Sequence, residues 1–201
     1  MTQARNLSIL ADNVSSAGVL NTAGGGSGNA SLTYPSGSGT VAVQGLSTNV
    51  VSGTAQASTS GTAITFSSIP SWVKRITVMF NGVSTSGTSS PMVQLGAGSV
   101  TSTGYACAST TISASSGVST YTTGFTIRSG NASATILGIF VLTNISSNNW
   151  VCSANLTDTG TSVGYTVGGS ISLSGTLDRV VITTVNGTDT FDAGSINILY
   201  E

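Results

Sequence analysis

Lys74-Arg75-Ile76-Thr77-Val78-Met79-Phe80-Asn81 is the stretch that decides the fold. Ile76, Val78 and Phe80 fall on one side of a period-two alternation, and Arg75, Thr77 and Asn81 on the other. In an extended chain successive side chains point to opposite faces, so this spacing describes a strand with one face buried. The same rhythm recurs from about Ala63 onward. In Tyr121 to Arg128, Tyr121, Thr123, Phe125 and Ile127 oppose Thr122, Gly124, Thr126 and Arg128, which predicts one strand. Asn149 to Leu156 puts Trp150, Cys152, Ala154 and Leu156 on one face. Val163, Tyr165, Val167, Ile171 and Leu173 keep a single parity across Gly168-Gly169, where a bulge or bend is expected. Ala134 to Leu142 is apolar on both faces and reads as a central strand. Asn186-Gly187, ahead of Phe191, is a short-range hairpin signal. About ten strands with Gly, Asn and Ser turns, and no helix after residue 60, predict an all-β domain over residues 61–201. A two-sheet, jelly-roll-like β-sandwich is the expected architecture.

Upstream the pattern changes twice. Residues 22–60 are rich in Gly, Ser and Thr, carry no charge, and read as a linker or stalk. Val41-Ala42-Val43 and Val50-Val51 interrupt that stretch, so its second half is a candidate strand. In residues 1–21, Leu7, Leu10, Ala11 and Val14 fall on one helical face, with Asn6 as a cap. A helix this short is marginal alone in water. The segment is therefore expected to be a short helix or extended anchor that docks on a partner.

Only eleven of the 201 residues are charged, none is histidine, and the net charge is -1. Globular chains average about a quarter Asp, Glu, Lys and Arg. The five cations, Arg5, Lys74, Arg75, Arg128 and Arg179, are scattered, which argues against nucleic acid, since phosphate binding needs clustered Lys and Arg. The longest apolar run, Ala134 to Leu142, is far below the roughly 20 residues of a membrane span, and no export signal is visible, so neither membrane insertion nor secretion is expected. A net charge near zero favours self-association. Cys107 and Cys152 form no CxxC motif; they read as two small buried hydrophobes, with a late disulfide as the alternative.

Catalysis finds little to work with. Without histidine a Ser-His-acid triad cannot be built, and Gly24-Gly25-Gly26 lacks the strand and helix that a phosphate cradle needs. Asp189 and Asp192 share one probable turn, with Asp178 nearby. Asx-turn capping explains them, and Asp178-Arg179 reads as a surface charge pair. A Ca2+ site at Asp189/Asp192 is the metal alternative, because loop carboxylates suit that ion; a catalytic pair is a further one, and no cofactor is expected. Trp150 follows Asn148-Asn149, so Asn144, Asn148, Asn149 and Trp150 form a candidate glycan contact, the ring stacking and the amides bonding hydroxyls. The alternation partners of Trp150 are core-like, however, and burial is its favoured reading. Trp72, behind Ile69-Pro70-Ser71, reads likewise as a buried anchor at a strand start. Binding is better sought in the Ser/Thr/Asn-rich loops 83–90, 113–120, 144–149 and 157–162.

The segment Ala63-Ile-Thr-Phe-Ser-Ser-Ile-Pro-Ser-Trp-Val-Lys-Arg-Ile-Thr-Val-Met-Phe-Asn-Gly-Val-Ser resembles the opening of a domain of tailed-bacteriophage and prophage tail fibre (receptor-binding) proteins. The ending, Leu173-Ser-Gly-Thr-Leu-Asp-Arg-Val-Val-Ile-Thr-Thr-Val-Asn-Gly-Thr-Asp-Thr-Phe-Asp-Ala-Gly-Ser-Ile-Asn-Ile-Leu-Tyr-Glu, is similar to its close, and Ala4-Arg-Asn-Leu to an N-terminal attachment region. The resemblance covers about two-thirds of the chain. It implies a non-enzymatic virion structural protein, a homotrimeric fibre or tip in the tail, assembled in the host cytoplasm. Other tail proteins would hold its N-terminus, and its β-domain would meet host surface glycan. The rival expectations are a decoration or baseplate-associated component without host contact, and a small glycan depolymerase.

Overall fold

The computed structural model describes residues 50–201, all within the compact unit Gln44–Glu201. The docking positions Leu7, Leu10, Ala11 and Val14, the segment 1–21 and most of the linker lie outside the described residues. Fourteen strands follow in order: β1 (Val51–Ser52), β2 (Gln56–Ala57), β3 (Ala63–Ser67), β4 (Arg75–Thr85), β5 (Pro91–Ala97), β6 (Ser99–Val100) and β7 (Ala106–Ile112), then β8 (Gly117–Tyr121), β9 (Phe125–Thr126), β10 (Ile136–Ser146), β11 (Asn149–Asp158), β12 (Val163–Ser172), β13 (Arg179–Thr184) and β14 (Phe191–Tyr200). Ten of them have five residues or more.

They make two antiparallel sheets. The larger runs β1-β14-β4-β10-β11-β12-β7-β8 with β2 also on β14; the smaller runs β3-β13-β5-β6 with β9 on β5. The inward residues of both sheets close one apolar core. Ile76, Val78, Phe80, Phe140 and Leu142 from the larger sheet share it with Ile64, Phe66, Val93, Leu95, Val180 and Ile182 from the smaller. This is the expected all-β sandwich, and β10 lies between β4 and β11 as a central strand should. The alternation read in Lys74–Asn81 and Asn149–Leu156 matches the burial residue by residue.

Four local expectations change. Asn186-Gly187 is a turn but joins no hairpin: β13 lies in the smaller sheet and β14 in the larger. The turn chemistry is local, with the Asn186 Oδ1 accepting from the Thr188 and Asp189 N–H groups. Strand partnership is set instead by burial: five of the six β13 residues are buried, so β13 needs neighbours on both edges and cover above. The run Tyr121–Arg128 is likewise two strands, because the chain leaves the larger sheet after Tyr121 and joins the smaller at Phe125. No bulge occurs at Gly168-Gly169, where the β11–β12 register is unbroken. Gly169 points inward with no side chain because a Cβ there would meet the Phe125 ring at 3.2 Å and the Cys107 Cα at 3.0 Å. The register shifts fall elsewhere, as at Ala193–Ser195, where Gly194 (φ 93°) opposes Gly82 (φ 66°). Lastly, the linker ends earlier than residue 60. Val51–Ser52 and Gln56–Ala57 pair with β14, and the buried Ser58 is pinned by its hydroxyl and N–H to the Ala193 and Gly194 carbonyls.

Candidate functional site

Antiparallel pairing sorts the loops between two ends of the sandwich. At one end lie 86–90, 113–116, 159–162 and 186–190; at the other lie Pro70–Lys74, the tight β10–β11 turn at 147–148 and the chain end Tyr200-Glu201. Three of the four expected binding loops therefore share one end, and each is shorter than expected because strands reach into it. The fourth, 144–149, sits with Trp72.

Trp150 presents no open ring face to a sugar. It is 3% exposed within the core, as its alternation with Cys152, Ala154 and Leu156 requires, so the stacking role in the candidate set is corrected. Asn144 and Asn149 are partly exposed, but their groups are engaged. The Asn144 amide donates to the Ser147 and Asn149 carbonyls, and the Asn149 amide donates to the Ser146 hydroxyl. The Asn148 carbonyl accepts from the Leu173 N–H. The Asn144 and Asn149 side-chain amides thus shape the turn, and Asn148 contributes its backbone carbonyl.

Trp72 reverses its expectation: it is 49% exposed. The phase changes at Pro70, where a turn closed by the Val73 N–H on the Pro70 carbonyl puts Val73 into the core and turns Trp72 out. The Trp72 ring lies 5.9 Å from that of Tyr200, tilted at 49°. Tyr200 in turn lines two clefts. One, of about 200 Å3, is formed with Val50, Arg75, Thr77, Leu199 and Glu201 on the outer face of the larger sheet. The other, of about 280 Å3, opens between the edges of the two sheets and is lined by Thr54, Gln56, Thr65, Ser67 and Ser68 among others.

The backbone fixes this corner. The Lys74 and Arg75 N–H groups both donate to the Glu201 carbonyl at 2.8 Å, and Asn144 N–H donates to the Lys74 carbonyl at 2.8 Å. The Arg75 guanidinium meets the Glu201 carboxylate at 3.0 Å, both well exposed, and the Lys74 ammonium touches only the Asn144 Oδ1 at 3.4 Å. Such exposed pairs contribute little to stability. The corner thus offers two aromatic faces flanked by hydroxyl, amide and backbone groups. Aromatic rings stack on the C–H faces of a sugar while neutral polar groups bond its hydroxyls. The alternation alone misses this site; Pro70, which breaks it ahead of the strand, is the signal in the sequence that would have found it.

The acids are spoken for. Asp158 is fully buried and accepts from the Thr135, Gly160 and Thr161 N–H groups at 2.7, 2.9 and 3.2 Å, and from the Thr161 hydroxyl. Asp178 accepts from Arg179 at 2.8 and 3.1 Å, and that guanidinium holds its carboxyl below the usual range. Asp189 is held below it too, first by the Asn186 amide at 2.7 Å and then by the Ser89 N–H at 2.8 Å. Asp192 accepts from the Ser84 hydroxyl. Asp189 thus clasps its loop to Asn186 and Ser89, and Asp192 ties β14 to Ser84; among the described residues no group of three or more acids, cysteines or histidines gathers at one point.

No protein family, curated protein or solved structure matches this chain.

Proposed function

We propose that this chain is a non-enzymatic subunit of a bacteriophage tail fibre or tip that adheres to host cell-surface glycan, with the Trp72–Tyr200 corner as its contact. The observation that carries this reading is a half-exposed tryptophan laid against Tyr200, which itself lines one cleft rich in neutral polar residues and a second that holds Thr77 and the Arg75–Glu201 pair. A large aromatic held out in water loses the stabilisation that burial would give, about 2–3 kcal/mol, unless something covers it. The resemblance of residues 63–84 and 173–201 to tail proteins supplies the biological setting. The engagement of all five described acids in structural bonds weighs against the depolymerase alternative.

Several copies acting together would make weak sugar contacts useful. The outward stripe Met79, Leu137, Ile139, Val141 and Leu199 supports assembly, a homotrimer in this reading. It carries no charge, so covering it strips water from no ion, and Ile139 stands 47% exposed at its centre. The N-terminal segment would fasten the assembly to other tail proteins.

The test is binding of the full chain, displayed multivalently on beads, to host cells and to an array of bacterial surface polysaccharides. Retention is expected, and Trp72→Ala should abolish it without unfolding the protein. A second reading, a decoration or baseplate-associated component, is favoured by Val50, an apolar residue 48% exposed in the cleft beside Tyr200 that a neighbouring subunit would cover. On that reading no polysaccharide is retained and Trp72→Ala instead changes the mass of the assembly.

A further inference from the structure

We infer that Arg128 is a second binding determinant, an anchor for an oxyanion such as the carboxylate of an acidic sugar or a phosphate substituent. It lies against β8, which is six strands from β14 in the larger sheet, about 30 Å at the spacing of paired strands. It is therefore independent of Trp72.

The larger sheet is wider than the smaller, and the inward faces of β7 and β8 are only partly covered: Thr111, Gly117 and Ser119 are half-buried where Cys107 and Ser109 are buried. Arg128 occupies this ledge. Its Nε donates to the Ser119 hydroxyl at 2.8 Å and its Nη1 to the Thr111 hydroxyl at 2.7 Å, while its backbone N–H donates to the Ser109 hydroxyl. The guanidinium lies flat over Gly117: a Cβ there would stand 3.3, 3.4 and 3.5 Å from Nη2, Nη1 and Cζ. A side chain at 117 would press on the guanidinium and push it by a few tenths of an ångström or more.

Three consequences follow. The cation is fixed by neutral acceptors, which orient it and leave its charge uncompensated; both ion pairs among the described residues involve other arginines. Nη2 keeps two N–H donors with no acceptor among the described residues. No fully buried side-chain nitrogen or oxygen among the described residues lacks a partner, so Nη2 is not sealed from water. Because two hydrogen bonds hold the side chain before any ligand arrives, binding does not have to supply the rotamer entropy that a free arginine would lose. A planar guanidinium with open donors suits a carboxylate or phosphate. In a chain with five cations, a fixed and unpaired one is a recognition feature.

The experiment titrates the full chain with sodium glucuronate, inorganic phosphate and methyl glucoside, following backbone amides by NMR. Glucuronate or phosphate should shift Thr111, Gly117 and Ser119 in a saturable, salt-weakened manner, and methyl glucoside should leave them unmoved. A response to glucuronate alone identifies an acidic sugar, and one to phosphate alone a phosphorylated polymer. Arg128→Gln should weaken the response about tenfold, the worth of one charge-assisted hydrogen bond, and Lys74→Gln should leave it intact. Should Arg128→Gln fail to fold, Arg128→Lys keeps the charge, loses the fork, and should still weaken binding. Equal shifts with the neutral sugar, no shift with either anion, or undiminished shifts in the folded Arg128 variant would overturn the assignment.

Discussion

Cys107 and Cys152 stand in register on either side of Gly169, with β12 running between their two strands. Both point into the core and both are free. Two strand spacings separate their Cα atoms by about 9.5 Å, whereas a disulfide needs less than about 7 Å. Burial, the dominant cause, raises both thiols above the ordinary range, Cys152 far above it, and the neighbouring Cys107 adds to the rise at Cys152. A thiol-specific reagent should therefore modify the native protein only at the rate of its unfolding, and oxidant should produce no internal crosslink. Gly169→Ala should cost about 1–3 kcal/mol through crowding of the Phe125 ring and the β7 backbone; a denaturant melt measures it.

The two tryptophans should separate cleanly under mutation. Trp150→Ala removes a ring 3% exposed in a packed core and should cost about 3–5 kcal/mol. Trp72→Ala removes a half-exposed ring whose one aromatic partner among the described residues is Tyr200, and it should cost about 1 kcal/mol or less. Urea midpoints of the two variants check the difference.

Stability should be flat from about pH 5 to 8, because no histidine is present and the shifted carboxylates of Asp178 and Asp189 move to lower values. On the alkaline side it should fall. Burial pushes the Tyr105 phenol up to about 12 from 10, against the smaller opposing effect of its bond from the Leu95 N–H at 2.7 Å. Between those values the unfolded chain loses that proton and the folded chain keeps it. The stability present below pH 10 thus drains away as pH approaches 12, by about 3 kcal/mol. The buried thiols start the decline somewhat earlier, near pH 9. Melting temperatures across pH 5–11, with Tyr105→Phe showing a shallower alkaline fall, are the check.

A chain beginning at residue 61 should be weaker than one beginning at 50. It loses β1 and β2 from the edge of β14, the Ser58 pins, and the Gln56 amide bond to the Thr65 carbonyl at 2.8 Å. At about 1 kcal/mol for each of three or four net hydrogen bonds, the deficit is about 3 kcal/mol. Comparative denaturant melts of the two fragments read it out.

The sandwich was legible because its strands alternate strictly: Ile76, Val78 and Phe80 announce a buried face whatever partners they find. Partnership was not legible. Asn186-Gly187 carries every mark of a hairpin turn, yet the sheet each flanking strand joins depends on distant neighbours that local turn chemistry does not encode. Gly169 misled for a related reason, since its missing side chain serves a close approach across strands and not a bend. At the site, Trp150 followed from its own strand, but Trp72 did not, because the Pro70 turn shifts the phase by one residue between it and the strand that follows. Arg128 showed only as one more polar position in an alternation; the three hydroxyls and the glycine that hold it come from two strands earlier in the chain.

The central claim is that Trp72, turned outward beside Tyr200, is where this protein meets sugar. Intrinsic fluorescence tests it most directly, since the chain has only two tryptophans and Trp150 is sealed in the core. Adding polysaccharide purified from host cells should change the emission of the parent protein saturably and leave Trp72→Phe emission unchanged. An equal response in Trp72→Phe, or none in a parent that retains the polysaccharide on beads, would contradict it.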